Sequence, residues 1–251
     1  MIAPYPETCV SVRPWARSAG PTRSGRPRGI PARLAWITVA GLVASTAIGA
    51  IAYFVDEEGG AAYAITMIVG SLPVAVIIWF LAWHYFADEF HAPGETGLGV
   101  TGTTGKSLVA SVSGGVVLAA LAVVMTDVFP PQIPLEESPL APLVSNGKVV
   151  MFSWLLSSVL VAPLAEEMFF RGVLLGSLSR RWGFAVSATV STGAFALIHV
   201  PQVGGYHVAL VPIALLGFAA ATARRVFASL WAAIALHAAY NLTLSLYALL
   251  S

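Results

Sequence analysis

LAWITVAGLVASTAIGAIAYFV, residues 34–55, holds no charged side chain, and as a helix rising about 1.5 Å per residue it is long enough to cross a hydrocarbon core of about 30 Å. Residues 61–87, interrupted only by His84, and residues 107–126 are two more runs of the same kind. Beyond them, 149–178, 184–200, 208–223 and 226–250 are apolar but less uniform. Only closed helices or barrels satisfy their backbone inside lipid, so these runs predict an all-α fold, a polytopic transmembrane helical bundle of about seven spans. Composition agrees: 57% of the chain is hydrophobic and 10% charged, against roughly 25% charged in soluble domains. Such a chain cannot cover a water-facing surface.

Four regions follow from this reading. Residues 1–33, with Arg13, Arg17, Arg23, Arg26, Arg28 and Arg33 among prolines, glycines and serines, read as a disordered tail that fixes topology. The basic region is too long, and the next apolar run too close to a full span, for a signal peptide. Residues 34–127 hold three spans, 128–147 a loop in which five prolines fall between Pro130 and Pro142, and 148–251 the remaining helices. With the Arg-rich tail inside, Lys106, Arg180, Arg181, Arg224 and Arg225 also fall in cytoplasmic loops, whereas Asp56, Glu57, Glu58, Glu136 and Glu137 fall outside. Lys148 is the one basic exception. The expected location is therefore the cell membrane, N-terminus in. Cys9 is the only cysteine, which excludes an intrachain disulfide or a cysteine-based metal site. A net charge of +1 gives no argument for nucleic acid, and the partners expected are membrane lipid and a peptide or protein substrate. The GTTGKS run at 102–107 lacks the earlier glycine of a phosphate loop, where Val100 stands, and reads as a flexible linker.

Charged groups at membrane depth are expensive and mark functional sites. The fourth run holds Glu166, Glu167 and Arg171. Glu167 and Arg171 are four apart on one helical face and can neutralise each other. Glu166, about 100° around the helix, lacks that partner, and an unpaired buried carboxylate either keeps a proton or binds something positive. Pro163 removes a backbone donor and frees a carbonyl in the preceding turn. The fifth run puts Phe195 and His199 four apart and stops near Pro201, and Gln202, Gly204, Gly205, Tyr206 and His207 are expected to line a cavity beyond it. The seventh puts His237 and Asn241 four apart. His84, His91 and His207 have no such company and read as interfacial or structural. Glu166, His199 and His237 are the donor set of an open zinc site, with three protein ligands and one position for water. The same groups also work without metal: Glu166 as general base and His199 hold the water, while His237 and Asn241 donate to the developing oxyanion. Both readings stay open.

The motifs EExxxR (Glu166, Glu167, Arg171), FxxxH (Phe195, His199) and HxxxN (His237, Asn241), in this order over residues 150–245, resemble the CPBP or Abi family of intramembrane endopeptidases, which includes the type II CAAX prenyl proteases. The resemblance implies that Glu166 carries general-base chemistry and that Glu167 and Arg171 support it. It implies that His199 helps bind the water or metal and that His237 and Asn241 bind metal or steady the oxyanion. It also implies a hydrophobic or lipidated peptide as substrate. A non-catalytic scaffold or bacteriocin self-immunity protein is the alternative, and the lack of internal repeats speaks against a transporter.

Overall fold

The computed structural model describes residues 30–55, 61–92, 97–131, 147–203 and 205–250, and every regular element among them is helical. The Arg-rich tail up to residue 29, both acidic clusters, most of the proline-rich loop and Gly204 lie outside the described residues. The elements are α1 (Ala32–Val55), α2 (Ala61–Tyr85), the short α3 (Ala87–His91), α4 (Gly105–Val128), α5 (147–182), α6 (184–198), α7 (Leu210–Val226) and α8 (Leu230–Leu250). Gly183 adopts φ 70°, which an L side chain resists, and there the chain breaks between α5 and α6. Among the described residues α4, α7 with its preceding 3-10 turn, and α8 are long and apolar enough to cross a membrane. The chain is an all-α integral membrane protein.

Three boundaries differ from expectation. The seventh run was expected from 226, but Val226 ends α7 and α8 starts at Leu230. Between them Ala228 takes φ 50°, its carbonyl held by the Thr101 hydroxyl at 2.9 Å. The GTTGKS stretch is an N-cap, not a linker: Thr104 Oγ1 accepts from Ser107 N at 3.1 Å and α4 starts at Gly105. Arg224, expected in a loop, is a buried residue in the last turn of α7 whose Nη2 donates to Gly97 O at 3.3 Å. Gly99, at φ 68°, lies so close that a Cβ there would fall on the Arg224 guanidinium. Leu230 N then donates to Gly99 O at 2.7 Å, which joins residues 97–101 to the start of α8.

The tightest pairing is α4 against α8. Ser111, Gly115, Ala119 and Ala122 are buried on one face of α4, while Val109, Val117 and Val124 on the other face are exposed. Small residues let two backbones approach where lipid supplies no hydrophobic drive between helices, and dispersion does the work. Across the seam stand Ala232, Ala233, Leu236 and Tyr240 of α8.

Helix α5 is not a uniform α-helix. It runs α over Gly147–Leu156, π over Ser157–Val161, α over Ala162–Glu167, π over Met168–Leu174, then α again from Leu175. Pro163 has no N–H to give, and the loosened turn before it offers the Ser158 carbonyl to Asn241 Nδ2 of α8 at 2.7 Å. π turns commonly mark functional positions in helices, and here two of them bracket Glu166 and Glu167.

Candidate active site

Helices α5, α6 and α8 bring Glu166, Glu167, Arg171, His199 and His237 into one polar cluster, with Gly217 O of α7 beneath Arg171. Glu167 and Arg171 are 0% exposed in their side chains, and Arg171 Nη1 donates to Glu167 Oε1 at 2.9 Å. Arg171 Nη2 donates to Gly217 O of α7 at 3.0 Å. The same Glu167 Oε1 accepts from His237 Nδ1 at 2.8 Å. One carboxylate oxygen thus joins a cation on its own helix to an imidazole on another. Neither side chain is open to solvent.

Glu166 and His199, each 14% exposed in the side chain, form the accessible side. Glu166 Oε2 lies 4.0 Å from His199 Nε2 and 4.0 Å from His237 Nε2, and it has no hydrogen-bond partner among the described residues. Hydrogen bonds on the far side of each ring settle which nitrogen faces it. The Phe195 carbonyl can only accept, so His199 Nδ1 carries the hydrogen and donates to it at 2.7 Å. A carboxylate likewise only accepts, so His237 Nδ1 donates to Glu167. In the neutral rings both Nε2 atoms present lone pairs towards Glu166, the arrangement by which outer partners orient histidines around a reactive centre.

The spacing can be set beside what each chemistry needs. Two hydrogen bonds of about 2.8 Å meeting at one water at about 90° to 110° span about 4.0 to 4.6 Å. Two ligands on a tetrahedral zinc, at about 2.0 to 2.1 Å each, stand about 3.3 to 3.4 Å apart. The 4.0 Å separations match one bridging water. Glu166, His199 and His237 have the right donor atoms for zinc, but among the described residues no three such side chains stand close enough to share an ion.

Two further expectations concern Asn241 and the region beyond His199. Asn241, expected to face an oxyanion, spends one amide hydrogen on Ser158 O and ties α8 to the π turn of α5. Beyond His199 a half-open depression of about 690 Å³ is lined by Gly205, Tyr206, His207 and Val208 together with Val128, Phe129, Pro130 and Pro131, but not by Gln202 or any of the six site residues. Tyr206 closes one side, its hydroxyl donating to Phe129 O at 2.5 Å. His91 is structural, its Nδ1 donating to Val100 O at 2.9 Å. Three supporting contacts escaped the sequence reading: Gly217 O under Arg171, Ser191 Oγ donating to Phe170 O at 2.8 Å, and Trp79 Nε1 donating to Leu164 O at 3.3 Å. Each ends on a backbone carbonyl, which has no signature in the sequence.

Residues 148–243 match the family model of the type II CAAX prenyl endopeptidase Rce1-like proteins. No curated protein and no solved structure matches the chain. The matched stretch contains every residue of the polar cluster, and over it the chain is similar to the CAAX-type intramembrane proteases.

Proposed function

We propose that the protein hydrolyses a peptide bond in a hydrophobic or lipidated substrate, with a CAAX-type prenylated C-terminus as the first candidate, through a water held by Glu166, His199 and His237. The observation that carries this reading is the convergence of two Nε2 lone pairs on the unpartnered Glu166 Oε2, each at 4.0 Å. A water there gives one hydrogen to the carboxylate and the other to an imidazole, which leaves an oxygen lone pair for the scissile carbonyl. As the C–O bond forms, Glu166 takes the proton. It then delivers that proton to the departing amide nitrogen as the C–N bond breaks. His237 carries Glu167 behind it as a buried counter-charge, so it is the ring suited to accept the water's second hydrogen at Nε2 and to stabilise the positive charge that gathers there as the water attacks. Asn241 has one amide hydrogen beyond its bond to Ser158 O and is the oxyanion donor in this scheme.

The test is cleavage of a farnesylated CAAX reporter peptide and of unmodified hydrophobic peptides by purified protein. Glu166→Gln keeps the side-chain volume and removes the base, so hydrolysis should be lost while the melting curve stays near that of the wild type. Activity within about tenfold of wild type takes Glu166 out of this role. Cleavage of neither peptide class by folded wild-type protein would favour a binding or immunity function for the same cluster. We further propose residence in the cell membrane with the N-terminus cytoplasmic, on the charge distribution taken up in the Discussion.

A further inference from the structure

We propose that Phe195 is a positioning residue whose ring sets the planes of both site histidines and holds Arg171 away from the water they bind; this rests on the hydrolytic reading above. The ring is 0% exposed and packs against both site histidines, Phe170 and Arg171. Its centroid is 4.6 Å from that of His199 at an interplanar angle of 51°, and 5.6 Å from that of His237 at 85°. Phe170 meets it edge-on at 5.3 Å and 86°. The Arg171 guanidinium carbon sits 4.3 Å from its centroid.

Each imidazole is fixed at Nδ1 by a single hydrogen bond, which holds one edge of the ring and leaves its plane undetermined, because the terminal torsion of histidine is broad and roughly two-fold. His199 is also the C-cap of its helix, so no following α-helical turn confines it. A flat wall is needed to aim Nε2, and one phenyl ring supplies it to histidines on two helices. The guanidinium has a separate need. It is buried five residues from Glu166 and attracts that carboxylate as well as Glu167, though less strongly. Packing against the Phe195 ring gives the cation a favourable neighbour and directs its donors to Glu167 Oε1 and Gly217 O. Leucine in place of Phe195 would keep the site apolar but remove both the wall and the aromatic face.

The experiment uses full-length protein in detergent micelles with 15N-labelled histidine rings, whose long-range 15N–1H spectra report the tautomer of each ring. Signals are assigned with His199→Ala and His237→Ala. In the wild type both rings should be protonated at Nδ1 alone. In Phe195→Leu both should lose that single-tautomer pattern, and kcat on the farnesylated reporter should fall at least about tenfold while KM stays within about threefold, as expected of misaimed groups. Phe195→Tyr retains the ring and should restore both signatures; if the leucine protein fails to fold, Phe195→Met is read in the same way. Unchanged ring spectra in a folded leucine or methionine variant overturn the proposal. So does a variant with a lower melting temperature and full activity per folded molecule. A Glu166→Gln protein that still cleaves overturns the hydrolytic reading alone, and the spectra decide the role of Phe195 regardless.

Discussion

At the scale of single residues, Glu167 is the most constrained group in the site, since one of its oxygens accepts from both Arg171 and His237. Glu167→Gln preserves shape and one acceptor but leaves the Arg171 guanidinium buried without its counter-charge, an error that costs about 3 to 5 kcal/mol in buried ion pairs. A clear drop in melting temperature and in purified yield is expected, in contrast to Glu166→Gln; superimposable melting curves for wild type and Glu167→Gln would remove the ion pair from the account of stability. Metal dependence is tested at the same scale. The 4.0 Å separations suit a shared water, so cleavage should survive exhaustive treatment with a membrane-compatible chelator. Activity lost on chelation and regained with one equivalent of zinc would make Glu166, His199 and His237 the ligands of an open site instead, with zinc supplying Lewis acidity to the water. The residues themselves were legible in the sequence because buried charge is rare and costly and each pair sits four apart on a helix. Their division of labour was not, since only the fold places Asn241 against Ser158 O and Phe195 between Arg171 and the two histidines.

At the scale of elements, adjacent glycines of α4 give opposite predictions. A Cβ on Gly115 would fall on the Leu236 carbonyl oxygen and crowd Ala239 and Tyr240 N, backbone that cannot yield. A Cβ on Gly114 meets only Leu236 Cδ1 at 3.6 Å, an ordinary contact. Gly115→Ala should therefore destabilise by about 1 to 3 kcal/mol through overpacking, whereas Gly114→Ala should be neutral or stabilising by up to about 1 kcal/mol from helix propensity alone. Thermal or denaturant unfolding in micelles measures both, and equal effects would mean that α4 and α8 do not meet along this seam. Helix existence was legible from uncharged runs of sufficient length, but helix interruptions were not. The break at 227–229 lies within an apolar run, and it is held by Thr101 and Gly99, more than a hundred residues earlier. The π turns of α5 likewise follow from what neighbouring helices offer to freed carbonyls, and Pro163 was the one local sign of them.

At the scale of the molecule, the basic residues among the described ones, apart from Lys148 and the buried Arg171, fall at one end of the bundle. Residues 97–101 bond to Arg224 and to the first turn of α8, Ile30 before α1 packs where a side chain on Gly176 of α5 would project, and Arg225 lies over the Phe184 ring at the start of α6. The start of α1, the end of α5, the start of α6, the end of α7 and the start of α8 therefore share that end, and with them Arg33, Arg180, Arg181, Arg224 and Arg225. Lys106 lies in the first turn of α4, which continues from the same 97–101 segment. Exposed tryptophans mark the same level: Trp36 near the start of α1, Trp83 near the end of α2, Trp182 at the end of α5 and Trp231 at the start of α8. An aromatic girdle beside a basic rim is how a helical membrane protein sits at an interface, and the side richer in Lys and Arg stays cytoplasmic. Reporter fusions after residues 182 and 226 should accordingly be cytoplasmic, and fusions at 131 and 250 external. Only the sidedness depends on charge, since the pairing of helix ends is fixed by the packing. Fusions at 182 and 226 that both report the external side would invert the molecule and leave its fold intact, whereas fusions on opposite sides would break the helix order on which the site depends.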